Sequence, residues 1–252
     1  MNLTVVIPTY NEAENLPVLI PRLLGLNIER LKILIVDDVS PDDTGRIAEE
    51  LSQAHPGRIQ VLHRIGLQRG LGAAYIDGFR KALSDEADII FGMDADLSHD
   101  PADIPRMLSQ ISQYDMIVGS RYAPGGGVDG HWGWYRVFLS NCAQWYIRMM
   151  LGLKTRDATS AFRCYKRTAL EQVNLVSMEP VGFSFLIEVL FSVEKLGLKV
   201  GEYPIRFRDR ERGQSKVSLR VISSAMVNVL RIKKKFGRYS KVMIVKDNGL
   251  TN

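Results

Sequence analysis

Five short strand-like segments punctuate the first 120 residues, with helically spaced segments between them. They are LTVVI (3–7), LKILIV (31–36), IQVLH (59–63), DIIFGM (88–93) and YDMIVGS (114–120). A run as continuously apolar as LTVVI, not alternating with polar residues, has no face to give to solvent. It suits a sheet covered on both sides, which is where parallel strands live. Between the runs, Glu12 to Leu24 places Leu16, Leu19, Ile20, Leu23 and Leu24 on one helical face, with Asn11 as its expected N-cap. Asp42-Asp43-Thr44 opens a second helix through about Ala54, and Gly70 to Leu83 forms a third after a glycine-rich entry. Strands alternating with helices predict an α/β domain built on a mostly parallel sheet.

The second half is less regular. Phe138, Cys142, Trp145, Tyr146 and Met149 fall at helical spacing, and residues 182–197 read as another amphipathic helix. Residues 199–207 read as an edge strand because Pro204 interrupts them. Residues 218–241 read as a helix ending in a basic cluster. Trp132, Trp134 and Tyr135, flanked by glycines, suit a mobile aromatic loop, a membrane contact or core filling. No linker divides the chain. The expected organisation is a catalytic unit over 1–218 followed by an amphipathic, basic helix and tail over 219–252.

With 46% hydrophobic residues in a 252-residue chain, a large core is expected and wholesale disorder is not. The net charge of +5 favours phosphates or an anionic membrane surface without requiring nucleic acid. The two cysteines, Cys142 and Cys164, are expected as free cytosolic thiols. No run of eighteen apolar residues exists to span a bilayer. His63, His99 and His131 lack metal-ligand spacing and read as surface or packing residues.

Ligands of open parallel sheets sit outside the carboxyl ends of the strands. Pro8-Thr9-Tyr10, Asp37-Asp38, Asp94-Ala95-Asp96 and Ser120-Arg121 all fall at such ends. An isolated D-x-D matches by chance, but four polar clusters at one rim are not four independent surface loops. The first strand is followed by neither a G-x-G-x-x-G turn nor a phosphate-loop signature, which disfavours hydride-transfer enzymes and P-loop NTPases. A carboxylate pair with nearby arginines suits a divalent cation and a diphosphate, hence transfer of a group from a nucleoside diphosphate.

The stretches VVIPTYNEAENLP, ILIVDDVSPDDT, GLGAAYIDGF, MDADLSHDP, IVGSRY, DATSAFR and RERGQSK resemble, in order, family-two glycosyltransferases of the GT-A fold. Within them the chain resembles the dolichol-phosphate and polyprenol-phosphate mannose synthases. The resemblance implies a GT-A type mostly parallel sheet flanked by helices, with C-terminal amphipathic helices. It implies that Pro8, Tyr10 and Glu12 line the guanosine site with Val36 and Asp38 beside them. Asp94 and Asp96 would meet Mg²⁺ or Mn²⁺ and the diphosphate, with Ala95 packed between them. Arg121, Arg210 and Lys216 would supply positive charge around the diphosphate. Arg121, Arg136 and Ser140 would face the acceptor phosphate, and Asp96, Arg121 and Arg136 would carry catalysis. Three features depart from the family pattern: Val39 and Asp43 replace customary glycines, Ala161 replaces another, and transmembrane hairpins carried by some relatives are missing. A β-branched Val39 would be strained at positive φ, so this loop is expected to take a different path.

The implied reaction is metal-dependent, inverting transfer of mannose from GDP-mannose to a polyprenyl or dolichyl phosphate. A UDP-glucose-type transferase to the same lipid and a non-catalytic nucleotide-sugar-binding subunit are the alternatives. Nucleic-acid binding is disfavoured by the acidic rim. A cytoplasmic protein, peripherally associated, is expected to reach its lipid through a membrane surface or a membrane-anchored partner subunit. Two segments, 138–150 and 222–232, are candidates for the contact, the second followed by Arg231, Lys233, Lys234, Lys235, Arg238 and Lys241. The competing expectation is a helix packed on the core with a solvated tail.

Overall fold

The computed structural model describes residues 1–66, 68–129, 133–178, 182, 184–208 and 227–236. The sheet follows from the apolar runs. β1 (Leu3–Thr9), β2 (Leu31–Asp37), β3 (Ile59–His63) and β4 (Ile89–Gly92) lie parallel in the order β3-β2-β1-β4. β5 (Met116–Ser120) points the same way but is separated from β4 by β7 (Arg163–Lys166), which is antiparallel to both. β8 (Val200–Pro204) pairs in parallel with β5 at the sheet edge, where a proline is tolerated. β6 (Gly127–Val128) and β9 (Arg206–Phe207) form a small separate ribbon.

Both sheet faces are covered, as the continuous apolar runs require. On one face Leu3, Val5 and Ile7 pack with Leu16, Leu19, Ile20 and Leu23 of α1 (Leu16–Leu24) and with Met107 of α4 (Ile104–Gln110). On the other, Val6, Leu34 and Val36 meet Tyr75 and Phe79 of α3 (Leu71–Ser84), backed by α7 (Ser184–Lys195). Gly78 lets α3 lie close against the sheet: a Cβ there would sit 2.4 Å from Val6 Cγ1. The other α-helices among the described residues are α2 (Thr44–Ala54), α5 (Trp134–Leu151), α6 (Arg167–Gln172) and α8, residues 227–236. No helix of the described residues is long and apolar enough to cross a membrane. Cys142 and Cys164 are free thiols, one exposed and one buried.

The structure departs from the sequence reading in several places. α1 starts at Leu16 with Asn15, not Asn11, in the cap position. The amides of Asn11, Glu12 and Ala13 instead donate to Ser40 Oγ, Thr44 Oγ1 and Asp42 Oδ2 at 3.1, 2.8 and 3.3 Å, fastening the loop after β1 to the loop after β2. α7 is not amphipathic: every residue from Ser184 to Val193 is buried. Among them Glu188 accepts from Lys235 Nζ of α8 at 2.6 Å, and Asn228 Nδ2 donates to Ser184 Oγ at 3.0 Å. Val229 and Ile232 are buried and Phe236 meets Phe191 edge-on. The described part of the C-terminal segment is therefore a helix packed on the core, and Lys235 is a structural ion-pair partner, not part of a solvated run. The boundary expected at residue 218, together with Arg238 and Lys241, lies outside the described residues. Trp134 and Tyr135 open α5 with their side chains exposed, which excludes core filling for both; His131 and Trp132 are outside the described residues.

The loop after β2 does not take the path expected to spare Val39. Val39 sits at φ 57°, in the left-handed region, while Asp43 has an ordinary φ of −77°. The hydrogen bonds that bind Ser40 and Asp42 to the neighbouring loop hold the turn in place despite the cost of its β-branched residue. Replacement of Val39 by glycine removes a left-handed penalty of roughly 1–2 kcal/mol and adds roughly 0.5–1 kcal/mol of unfolded-state entropy. The Val39→Gly protein is therefore expected to melt at the wild-type temperature or a few degrees above it in calorimetry; a clear drop would show that Val39 carries packing that outweighs its strain.

Candidate active site

The carboxyl ends of β1, β2, β4 and β5 meet at one rim, and the antiparallel β7 brings a further segment to it. Arg163 opens β7 opposite Gly92 of β4 and Val118 of β5, so residues 157–162 arrive between the Asp94-Ala95-Asp96 turn and Arg121. Arg163 is fully buried and donates to three main-chain carbonyls, Ser160 O, Ala158 O and Leu186 O, at 2.6, 2.7 and 2.5 Å. It thereby shapes the turn it follows and ties it to α7.

That turn presents Asp157, which is fully buried. Arg121 grips it through Nε and Nη2, both at 2.8 Å, and through its main-chain amide at 3.0 Å. Thr159 Oγ1 accepts from Arg121 Nη2 at 2.8 Å and from Gln144 Nε2 of α5 at 2.7 Å. Burial alone would raise the Asp157 carboxyl, but the Arg121 charge and its hydrogen bonds hold it below the usual carboxylate range. Burial would likewise lower Arg121, and Asp157 more than reverses this. The result is a fixed guanidinium, with Tyr122 and Phe207 rings 5.4 and 5.3 Å from its centre. Asp94 contributes to the field at that cation.

Asp94 and Asp96 sit on a tight turn after β4, in which Leu97 takes φ 62°. Ala95 is buried between them. Tyr75 donates to Asp94 Oδ1 at 3.0 Å, and Ser98 donates to Asp96 Oδ1 from its hydroxyl at 2.5 Å and from its amide at 3.2 Å. Two hard oxygen donors held by neutral hydroxyls fit Mg²⁺ or Mn²⁺. Among the described residues no third His, Cys, Asp or Glu joins them, which suits a cation whose other ligands are diphosphate oxygens and water. His99 next to this turn is a packing residue, as expected: it stacks on Phe162 at 5.0 Å, and burial pushes its imidazole down to about 4 against the pull of Asp96.

Among the residues expected at the nucleotide, Pro8 is buried and Tyr10 exposed at the end of β1. The Val36 side chain is in the core, so any ligand contact from this position would be main-chain. Asp38 accepts from the buried Arg64 on one oxygen and from the Gly70 amide, at 2.7 Å, on the other. Arg64 also binds Asp77 and the Gln68 carbonyl at 2.8 and 2.7 Å. Two oxygens retain lone pairs for a further donor, but the carboxylate is already fixed in direction. Ser140 bonds the Tyr122 hydroxyl at 2.6 Å, which ties this expected acceptor residue to the loop that carries Arg121; Arg136 is exposed one turn earlier on α5. Arg210 and Lys216 lie outside the described residues. The chain leading to them is fastened to the Asp96 turn by Arg208, whose amide donates to Ser98 O at 3.0 Å and whose guanidinium meets Asp100 at 3.1 Å. Asp157, Gln144, Arg64 and Tyr75 were not singled out from sequence. Asp157 and Tyr75 lie in the motifs quoted above, but nothing local distinguishes them from neighbouring polar residues.

Substitution of Asp157 by Ala would leave a nearly buried guanidinium unpaired, at a cost of about 3–5 kcal/mol. A large fall in melting temperature at pH 7 is expected, with loss of activity. Because folding depresses this carboxyl, its contribution is full above the ordinary carboxylate range and disappears only as pH falls through the lower folded value. The gap between wild type and Asp157→Ala should therefore narrow in strong acid; a constant gap from pH 7 to pH 2 would contradict the ion-pair account.

Residues 4–173 match the Glycosyl transferase family 2 domain. The polyprenol monophosphomannose synthase of Mycolicibacterium smegmatis is 42% identical over 226 residues, 89% of this chain and 84% of that protein. The undecaprenyl-phosphate mannosyltransferase of Micrococcus luteus is 39% identical, covering 92% and 93%. The dolichol-phosphate mannosyltransferase of Pyrococcus furiosus is 37% identical, covering 96% and 67%. Among solved structures, glucosyl-3-phosphoglycerate synthase from Mycobacterium tuberculosis with Mn²⁺, uridine diphosphate and glucosyl-3-phosphoglycerate shares the fold, with a TM-score of 0.64 over 92% of this chain and 78% of that one at 18% identity. With its sheet, its rim of acidic and basic groups and these relatives in agreement, the chain belongs to glycosyl transferase family 2.

Proposed function

We propose that this glycosyltransferase moves mannose from GDP-mannose to a polyprenyl or dolichyl phosphate, inverting the anomeric centre. The observation that carries the reading is the rim itself: an Asp94/Asp96 pair facing an arginine clamped by Asp157, in a chain 37–42% identical to mannosyltransferases named for lipid phosphates. A phosphate monoester is largely dianionic at neutral pH, since its second pKa is about 6. It attacks without a strong general base, so the protein's task is to bring two anions together. Arg121 supplies a cation whose orientation does not have to be organised during the reaction. In this reading Arg136 and Ser140 on α5 receive the acceptor phosphate, and Asp38 orients the nucleoside. A divalent cation held by Asp94 and Asp96 would offset charge on the departing diphosphate.

The test is product analysis with radiolabelled nucleotide sugars and a polyprenyl phosphate. GDP-mannose with Mg²⁺ or Mn²⁺ is expected to give lipid-phosphate-mannose, and Asp96→Asn to reduce turnover by about 100-fold. Faster labelling from a UDP-sugar would move the assignment to the alternative donor. Undiminished turnover in EDTA would remove the metal from the reading.

α5 supports peripheral attachment to the membrane that holds the acceptor. Trp134, Phe138, Trp145 and Met149 recur at helical spacing and are 79%, 58%, 64% and 54% exposed, while Gln144, Ile147 and Leu151 face the protein. An outward aromatic stripe beside Arg136 and Ser140 is the surface expected to meet an anionic interface. Replacing Phe138 and Trp145 together by Ser should weaken co-sedimentation with anionic vesicles by about tenfold or more. It should also raise KM for a long-chain lipid phosphate, leaving a short soluble prenyl phosphate unaffected. Unchanged vesicle binding would instead favour attachment through a membrane-anchored partner subunit.

A further inference from the structure

We propose that Tyr75 is the positioning residue for the Asp94 carboxylate, a role that rests on the metal reading above and deepens it. Tyr75 lies in the second turn of α3 and is fully buried. Its ring lies nearly parallel to that of Phe185, 6.4 Å away, and 5.5 Å from that of Phe79, so aromatic neighbours on two elements restrict its rotamer. The hydroxyl reaches Asp94 Oδ1 at 3.0 Å.

The strand beside it makes room for this reach. A Cβ on Gly92 would lie 3.3 Å from Tyr75 Cε1 and 3.1 Å from the Ala161 carbonyl, tighter than such contacts ordinarily are. Glycine two residues before Asp94 thus lets the ring run alongside β4 to the metal-binding turn. A buried phenol that only needed a partner could bond any nearby carbonyl. This one bonds a carboxylate proposed to bind a cation, and fixes one of its two oxygens. Donors that orient ligating carboxylates characteristically change metal affinity by about 10–100-fold.

The placement of α3 adds a second consequence. The N-cap residue just before it, Gly70, donates its amide to Asp38 at 2.7 Å, while Tyr75, five residues on, donates to Asp94. One rigid helix therefore sets the position of an expected nucleoside contact and of an expected metal ligand together.

Tyr75→Phe tests the role, since it keeps the ring and removes only the hydroxyl. Mn²⁺ binding in the presence of GDP would be measured by calorimetry or by the loss of the free-Mn²⁺ electron paramagnetic resonance signal. About tenfold weaker Mn²⁺ binding is expected. GDP binding in EDTA should be unchanged, and the metal-free melting temperature should stay within a few degrees of wild type. Wild-type Mn²⁺ affinity in Tyr75→Phe would overturn the proposal, as would an equal loss of GDP affinity in EDTA, which would mark a general distortion. Asp94→Asn separates the two levels. If wild type binds Mn²⁺ and Asp94→Asn does not, the metal reading stands, and Tyr75→Phe decides the positioning role. If Asp94→Asn binds Mn²⁺ as wild type does, both fall.

Discussion

The site depends on a buried ion pair, Arg121 with Asp157. Each partner would be costly alone at its position, and each is held charged by the other. The pair joins the end of β5 to the turn before β7, and through Thr159 and Gln144 it joins both to α5. A guanidinium that spends two of its nitrogens on a carboxylate and a hydroxyl is fixed in direction. That suits a cation acting on phosphates, because a preorganised charge needs little rearrangement when negative charge builds up.

The same economy recurs around the rim. Asp38 is set by Arg64 and Gly70, Asp94 by Tyr75, Asp96 by Ser98, and Ser140 is paired with Tyr122. None of these supporting groups comes from the same strand end as the residue it holds, apart from Ser98. They are delivered by α3, by the loop after β3 and by the loop after β5. The antiparallel insertion of β7 is what closes this arrangement. It carries Asp157 to the interval between Asp94 and Arg121, and buries Arg163 behind it to hold the turn.

α5 connects the site to the outside. Its inward face supplies Gln144 to the Asp157 network, and its outward face carries the exposed aromatic stripe. α8 has the opposite character. Lys235 is drawn from a basic run into an ion pair with Glu188, a carboxylate buried among the mostly apolar residues 184–193 of α7. A run of like charges in sequence thus divides in the fold, with Lys233 and Lys234 exposed and Lys235 half-buried against Glu188.

The order of strands and helices through β5, the two-sided burial of the sheet and the rim carrying Asp38, Asp94, Asp96 and Arg121 were all legible in the sequence. Continuous apolar runs can be satisfied only between two layers, and polar residues that end them must emerge at strand termini. Conformation inside the loops was not legible. Asn11 yields its capping role and Val39 accepts a positive φ because hydrogen bonds between two loops outweigh local preference, and those bonds join residues about thirty positions apart. β7 escaped because RCYK has a charge at each end, one buried only by carbonyls that the fold supplies. The outward direction of the α5 stripe escaped for the same kind of reason: its periodicity showed a face, but not which side the core would occupy. Sequence determined which residues carry charge, reach and apolar surface. Tertiary structure decided which charges neutralise one another, since pairing in a low-dielectric interior depends on distances of a few ångströms between segments far apart in the chain.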